Sequence, residues 1–333
     1  MKRLGVSLPL EGIGVEETVE LAKLAESNGY TDIWSAESGA ADGLTPLAAI
    51  SSVTSKVRLG TAILPVYIRP PALLAMSASS MQMLSGGRFV LGIGTSSSII
   101  IEKWMGMNFE APLKRMRETV AYLREALGGK KVDFEGDTFK SRGFRLGTGA
   151  PQPVPIYIGA LGPRMLRLAG EIADGVVLWL FTPDGVKDAL YQVRKGAASV
   201  GRDPDEIDVV ARIVVAMDED AEFLKYMLRR TTTTYAMVDV YNRSLARQGF
   251  ETEAAQIAKL WAEGDREGAA NAVTDEMLSS LYVAGDKAAC VTQLQRFREA
   301  GVKTPVVFPV SVAGEPSERL AKAREVIQAM SGT

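Results

Sequence analysis

The chain alternates between strand-like and helix-like runs along almost its whole length, and this alternation constrains the fold more than any other feature. Eight runs rich in β-branched and apolar residues each end near a glycine, a proline or a small polar residue. Strands that alternate with amphipathic helices predict a parallel sheet, and this number of strands favours a closed (β/α)8 TIM barrel over an open sheet. The strand candidates are Arg3–Leu8, Thr31–Ala36, Val57–Leu64, Arg88–Gly94, Val154–Gly159, Gly175–Leu180, Ile207–Met217 and Thr304–Val310.

The chain is longer than a bare barrel, and the extra length follows the seventh strand candidate. A bare barrel needs ~250 residues, whereas this chain has 333. Between residues 219 and 290 the apolar residues recur at helical spacing, and no strand candidate is found there. We therefore predict one barrel domain over residues 1–333, with a helical insertion at 219–290 between strands seven and eight. Length alone would also allow two domains.

Charge, hydropathy and cysteine content exclude several classes of partner. The formal net charge is −2, so the chain lacks the basic excess that neutralises a nucleic-acid backbone. No apolar run approaches the ~20 residues that span a membrane, and the single cysteine, Cys290, cannot form an internal disulfide. We therefore expect a cytoplasmic protein that acts on a small organic molecule, without a nucleic-acid or membrane partner.

The chain contains no histidine, and this absence excludes several kinds of chemistry. An imidazole base, a Ser-His pair and a histidine-ligated zinc ion are all impossible. One cysteine cannot build a thiolate metal site either, and we expect no metal. Unless carboxylates alone hold a metal, the chemistry must therefore come from an organic cofactor, or from Asp, Glu, Lys, Tyr or Ser side chains.

Three strand ends are candidates for ligand binding, because the residues that follow barrel strands line the active site. Small residues in Gly92–Ser98 would let a ligand approach the backbone, and the hydroxyl groups there can donate hydrogen bonds. Ile158–Pro163 opens a helix whose first N–H groups would bind a phosphate. Its glycines match a dinucleotide fingerprint only in part. Gly60–Pro65, the end of the third strand candidate, is the third such segment. The first two segments can equally be ordinary turns, and the third can be a buried strand that ends at a proline.

Glu37 is the carboxylate placed best for catalysis. It comes just after the second strand candidate, where its side chain would point into the barrel mouth. It could accept a proton, bind a donor group of a substrate, or pair with Arg69 or another cation. The sequence leaves these three roles open.

Several of these segments together resemble the bacterial luciferase-like superfamily. The resemblance is greatest to the branch that uses the deazaflavin coenzyme F420, and to methylenetetrahydromethanopterin reductase-like proteins within it. The matching stretches are dense in the first half of the chain and sparser after it. They are Tyr30–Glu37, Leu44–Ala48, Val57–Ile63, Leu84–Gly94, Pro155–Ala160 and Ile172–Val176.

The resemblance implies a TIM-like barrel, a cofactor ring across its mouth and a non-proline cis peptide bond between Ala62 and Ile63. Contacts to the phosphate of the cofactor would come from the start of the helix at Gly159–Pro163, and Glu37 would be the catalytic residue. The full set of residues implied in cofactor binding is Ser7, Glu37, Ala62, Ile63, Gly94, Thr95, Ser96, Gly159, Ala160, Leu161, Gly162 and Pro163.

The chain departs from the family pattern directly after Glu37. Many relatives have a histidine at that place, whereas this chain has Ser38. Hydride transfer asks less of the protein than histidine-assisted oxygenase chemistry, because the chain needs only to hold two carbons close and keep water out. We therefore predict an oxidoreductase that transfers a hydride between coenzyme F420 and an organic substrate, assembled as a homodimer or a larger homo-oligomer.

Three alternatives remain. An FMN-dependent luciferase-like monooxygenase would use reduced flavin and oxygen, and a non-catalytic flavin-binding protein would bind cofactor without turnover. An isomerase of phosphorylated sugars fits less well, because such barrels bind phosphate after strands seven and eight. This chain has the helical insertion and Phe308-Pro309-Val310 there.

Overall fold

The computed structural model describes residues 2–37, 39, 41–147 and 152–333. Over these residues the strands, in chain order, are β1 (Gly5–Ser7), β2 (Asp32–Ser35), β3 (Arg58–Thr61), β4 (Leu64–Pro65), β5 (Phe89–Gly94), β6 (Val132–Glu135), β7 (Lys140–Phe144), β8 (Ile156–Gly159), β9 (Gly175–Trp179), β10 (Asp208–Met217), β11 (Val283–Gly285) and β12 (Thr304–Pro309). The α-helices are α1 (Val15–Ser27), α2 (Thr45–Ser51), α3 (Pro71–Leu84), α4 (Pro112–Leu127), α5 (Pro163–Ile172), α6 (Pro183–Ser199), α7 (Ala221–Ala236), α8 (Asp239–Leu245), α9 (Glu251–Glu263), α10 (Arg266–Asn271), α11 (Asp275–Leu281), α12 (Lys287–Glu299) and α13 (Pro316–Ala329).

Eight parallel strands close into a barrel, as the sequence predicts. Around the ring the order is β1, β2, β3, β5, β8, β9, β10 and β12, and β12 pairs with β1. Each of these strands lies within one of the strand candidates, and helices cover the outside. The fold is therefore a (β/α)8 TIM barrel. In a ring of this size β3 and β10 lie opposite each other.

Large side chains fill the barrel interior. Trp34 is fully buried, and its ring lies 5.8 Å from that of Tyr157. Glycines on neighbouring strands make room for both rings: a Cβ at Gly60 would collide with Trp34, and a Cβ at Gly175 would lie 2.6 Å from Tyr157. Because the interior is packed, only the two ends of the barrel can bind a ligand.

A polar cluster occupies the amino-terminal end of the barrel. Arg58 Nε lies 2.5 Å from Asp32 Oδ1, and its Nη2 lies 3.1 Å from Asp208 Oδ2. The Tyr157 hydroxyl also donates to Asp208, over 2.8 Å. These residues stand at or near the first positions of β2, β3, β8 and β10, so the cluster ties four strands together. In TIM barrels the amino-terminal end contributes to stability, whereas the chemistry takes place at the carboxyl-terminal end.

The segment predicted to be a helical insertion contains helices α7 to α11, but it also contains a strand. The expectation that no strand occurs between residues 219 and 290 is wrong, because Val283–Gly285 pairs in parallel with Val215–Met217 of β10. The last residues of β10 extend beyond its pairing with β9, which stops at Arg212. The exposed edge of β10 therefore recruits this short strand, which has too few residues to show a period of its own.

The insertion shares a hydrophobic core with the carboxyl-terminal end of the barrel. Val214 and Ala216 of β10 and Leu180 after β9 are buried together with Leu228 and Phe250 of the insertion. Because both parts contribute to one cluster, we propose that the chain is a single domain, with the helices seated on the barrel mouth. Across the described ranges no helix combines the length and the apolar character needed to cross a bilayer.

Candidate active site

The segment after β3 forms one wall of the barrel mouth. The peptide bond between Ala62 and Ile63 is cis, as the family resemblance implies. The Ile63 side chain reaches over two neighbouring strand ends. A Cβ at Gly94 would lie 2.7 Å from Ile63 Cδ1, and a Cβ at Gly159 would lie 2.9 Å from its Cγ2. The Ile63 side chain can therefore pack here only because both positions are glycine.

This packing changes the interpretation of the glycines after β5. From the sequence, the backbone of Gly92–Ser98 is expected to be open to a ligand. In the structure the space over Gly94 is taken by Ile63, and a Cβ at Gly92 would collide with the Thr61 carbonyl. A ligand at this wall would therefore meet the Ile63 side chain, which is partly exposed, before it met the glycine backbone.

Three strand ends at the mouth hold non-glycine residues in the left-handed region of backbone conformation. They are Ser96 after β5 (φ 58°), Leu180 after β9 (φ 60°) and Asp218 after β10 (φ 51°). Such residues are uncommon, cost ~1–3 kcal/mol each and concentrate at functional sites. The Thr95 hydroxyl donates a hydrogen bond to the neighbouring Ser96 carbonyl, over 3.4 Å. Left-handed backbone conformations and hydroxyl side chains therefore occur together at this end of the barrel.

The start of α5 has the features of an anion-binding site. Gly162 is the N-cap residue in an extended conformation, and Pro163 is the first helical residue. No described side chain caps the helix, so its first N–H groups remain available. The position of a Cβ at Gly162 is open except for an arginine nitrogen, Arg247 Nη2, at 3.9 Å. Ala160 and Leu161 lead from β8 into this cradle, which can hold a phosphate.

Glu37 is paired with Arg69, one of the three roles that the sequence left open. Arg69 Nη2 donates to Glu37 Oε2 over 2.8 Å, and the Gly43 N–H donates to the same oxygen over 3.1 Å. Both side chains are largely buried, with 12% and 17% exposure. The pair fixes the loop that follows β2. Ser38, which stands where many relatives have histidine, lies outside the described residues.

Arg212 forms the wall opposite Ile63, and the sequence analysis did not identify it. It lies on β10, and its Nε and Nη2 both donate to Ser7 Oγ, over 3.2 and 3.0 Å. Ser7 thus lies at the mouth, where the family resemblance implies a cofactor contact, but its hydroxyl oxygen already accepts hydrogen bonds from Arg212. One signal was available: Arg212 is the only charged residue between Val209 and Met217, and it alternates with Val210 and Val214. That spacing puts it on the barrel-facing side.

Aromatic rings surround Arg212. Its guanidinium carbon lies 4.8 Å from the centre of the Trp179 ring and 5.0 Å from that of Phe308. The Tyr235 ring lies 5.8 Å from Trp179 and 5.0 Å from the Tyr241 ring, so the aromatic wall continues from the barrel into the insertion. Such a wall suits a flat ligand and limits the access of water.

A cavity of about 1090 Å³ lies at the other end of the barrel. It does not coincide with the strand ends described above. Its lining includes Arg58, Arg88 and Arg298, but these cations already have partners. Arg88 donates to main-chain carbonyls of Ser51, Thr54 and Val57, and Arg298 donates to two further carbonyls. We therefore place the site at the carboxyl-terminal mouth. Within the described ranges no group of His, Cys, Asp and Glu could hold a metal ion.

The sequence profile of the luciferase-like monooxygenase family matches residues 2–304. The chain belongs to this family. It is 34% identical over 285 residues to the 5,10-methylenetetrahydromethanopterin reductase of Methanolobus tindarius, a match that covers 84% of this chain and 86% of the relative. The family resemblance inferred from the sequence is therefore confirmed.

Two further luciferase-like relatives carry F420 in their names. The chain is 33% identical over 239 residues to the F420-dependent glucose-6-phosphate dehydrogenase of Nakamurella multipartita, covering 66% of this chain and 69% of the relative. The solved structure of the coenzyme F420-dependent tetrahydromethanopterin reductase of Methanopyrus kandleri superposes with a TM-score of 0.80. That match has 27% identity and covers 97% of both chains.

Proposed function

We infer that this protein is an oxidoreductase that transfers a hydride between coenzyme F420 and a small organic substrate. The observation that carries this function is the match over most of the chain to F420-dependent oxidoreductases, in sequence and in fold. The absence of histidine agrees with it, because hydride transfer needs no imidazole base.

The residues at the mouth fit such a cofactor. Ala62 and Ile63 offer an apolar surface that would back one face of a flat ring, and the uncapped start of α5 would hold the phosphate of the cofactor tail. We propose that Gly159, Ala160, Leu161, Gly162 and Pro163 form the phosphate cradle. We propose further ring and side-chain contacts from Ser7, Gly94, Thr95 and Ser96.

The bound deazaflavin would supply a carbon that accepts or gives a hydride. The chain's own part is to hold substrate and cofactor side by side and to exclude water, which the aromatic wall and the seated Ile63 side chain can do. Glu37 remains our candidate acid, base or substrate anchor. Its Oε2 already accepts two hydrogen bonds, so a proton or substrate would have to engage Oε1.

Titration of the apo protein with F420 and, separately, with FMN tests this function. We expect F420 to bind at least about 10-fold more tightly, a difference of ~1.4 kcal/mol. Tight binding of FMN alone, with oxygen uptake when reduced FMN is added, would replace the proposal with a monooxygenase. Binding of F420 without turnover of any alcohol, aldehyde, imine or enone would support a non-catalytic binding protein instead.

We also propose that the protein is cytoplasmic and forms a homodimer or a larger homo-oligomer. One feature that supports self-association is the outer face of α3. Leu73, Met76 and Met83 recur there at helical spacing with 41%, 45% and 43% exposure. A row of exposed apolar side chains on one helix is typical of an interaction surface. Light scattering coupled to size exclusion would measure the mass.

A further inference from the structure

Arg212 is a cation without a counter-ion among the described residues. The Ser7 hydroxyl is its one hydrogen-bond partner among the described residues, and no described carboxylate forms an ion pair with it. Burial lowers the pKa of Arg212, and the only opposing influences come from the phenols of Tyr235 and Tyr241. A guanidinium that is largely removed from water is costly unless an anion pairs with it. The structure therefore leaves an unmet requirement for negative charge at the mouth.

The way Arg212 is held determines which anion it could take. Ser7 occupies the Nε edge and one N–H of Nη2. The Nη1 group and the second N–H of Nη2 therefore remain as a planar fork, the geometry that receives both oxygens of a carboxylate. The Trp179 and Phe308 rings, whose centres lie 6.2 Å apart, both lie beside the guanidinium, and together with Ser7 they position the fork before any ligand arrives.

The surroundings of the fork indicate what the carboxylate is attached to. Trp179, Tyr235 and Tyr241 form a continuous aromatic wall beside it. Burial raises the pKa of Tyr241, which keeps its phenol neutral and able to donate a hydrogen bond. An aromatic or otherwise flat, unsaturated molecule would stack on these rings while its carboxylate met the guanidinium.

The position of Arg212 separates this subsite from the proposed cofactor cradle. The guanidinium reaches from β10 past β12 to Ser7 on β1, away from β8 and the start of α5. It also lies on the strand opposite β3, which leads to Ile63. A ligand held by Arg212 would therefore face a ring backed by Ile63 from across the mouth.

We propose that Arg212 binds the carboxylate of the substrate, and that the substrate is a flat, unsaturated or aromatic carboxylic acid. This inference rests on the proposed function, because it assigns the second ligand of the same mouth. Arg212 is then a specificity-determining residue, with Ser7 as the group that positions it.

Calorimetric titration of the F420-loaded protein with benzoate and with benzamide tests the proposal. The two probes have the same shape, and only benzoate carries a charge. We expect benzoate to bind ~10–100-fold more tightly than benzamide, the range that a charge-assisted pair provides. Equal binding of the two probes, or no binding of benzoate, would overturn the inference.

Variants of Arg212 show whether the preference for benzoate over benzamide depends on this side chain. Arg212→Met should remove the preference for benzoate, and Arg212→Lys, which keeps the charge but not the planar fork, should retain only part of it. Arg266→Met is the matched control, because Arg266 also stacks on a tryptophan, Trp261, but lies in the insertion away from Arg212. A preference that survives Arg212→Met contradicts the assignment.

F420 affinity, measured by cofactor fluorescence on the same samples, separates the two proposals. Failure of the wild-type protein to bind F420 would refute the proposed function. Normal F420 binding without a preference for benzoate would refute only the carboxylate subsite. If Arg212→Met weakened F420 as much as benzoate, the guanidinium would serve the cofactor instead. If that variant failed to fold, Arg212→Lys would decide, because an undiminished preference for benzoate in that variant would contradict the planar fork.

Discussion

Replacing Gly94 by alanine tests whether the Ile63 side chain forms the cofactor wall. The new Cβ would lie 2.7 Å from both Cδ1 and Cγ1 of Ile63, whereas carbon atoms pack at ~3.5–4.0 Å. Ile63 must therefore move by about 1 Å. It cannot move toward β8, because Gly159 already lies against its Cγ2, so it would shift into the mouth.

Overpacking of this size costs ~1–3 kcal/mol. We expect Gly94→Ala to lower the free energy of unfolding in urea by about that amount. We also expect it to weaken F420 binding ~10-fold, since the displaced side chain would occupy the proposed ring site. Gly147→Ala is the control, because a Cβ there meets no atom of the described residues within 4 Å.

A double-mutant cycle with Ile63→Ala shows whether the clash is the cause. Removing the Ile63 side chain removes both colliding atoms, so Gly94→Ala should cost almost nothing in that background. If Gly94→Ala were equally costly with and without the Ile63 side chain, the packing described here would not explain the role of Gly94.

Three other perturbations have definite expected outcomes. Glu37→Gln should lower the free energy of unfolding by ~1–3 kcal/mol, because it removes the negative charge nearest to the largely buried Arg69. The double variant with Arg69→Met should lose less than the sum of the two single losses, and additive losses would refute the coupling. Glu26 accepts hydrogen bonds from the N–H groups of Ser55, Lys56 and Val57, and although burial acts to raise its pKa, these bonds hold it below the usual 4.5. Because the pKa of Glu26 is lower in the folded chain than in the unfolded chain, the ionised carboxylate stabilises the fold at a pH above the unfolded-state pKa. The difference in free energy of unfolding between wild type and Glu26→Gln, measured in urea, should therefore be constant above about pH 5 and become smaller below it. A difference that grows in acid would contradict this. Met76→Lys should convert the proposed homo-oligomer to monomer in light scattering, with Glu318→Lys as a surface control, and an unchanged mass would exclude this face of α3.

The sequence predicts the barrel well, because its strands are defined by local patterns. The helix α5 begins at Pro163, in the segment where the sequence predicts a helix start, since proline is favoured at the first helical position. The strand Val283–Gly285 was not predictable, because three residues carry no period and the strand exists only where β10 extends beyond its neighbour.

The site was predictable in part, for a similar reason. Strand ends locate Glu37, Ala62 and Gly94 at the mouth, because topology alone brings them to one end of the barrel, and the family resemblance adds Ser7. Side-chain contacts across the barrel depend on packing between distant residues. The seating of Ile63 over Gly94 and the guanidinium that reaches Ser7 are of this kind, so they required the structure.

Native mass spectrometry of the protein purified from a host that makes both F420 and FMN tests the central claim most directly. We predict that the folded chain retains a ligand with the mass of F420, and that this ligand is lost on denaturation. A chain that instead carries FMN would contradict the assignment of the mouth to a deazaflavin.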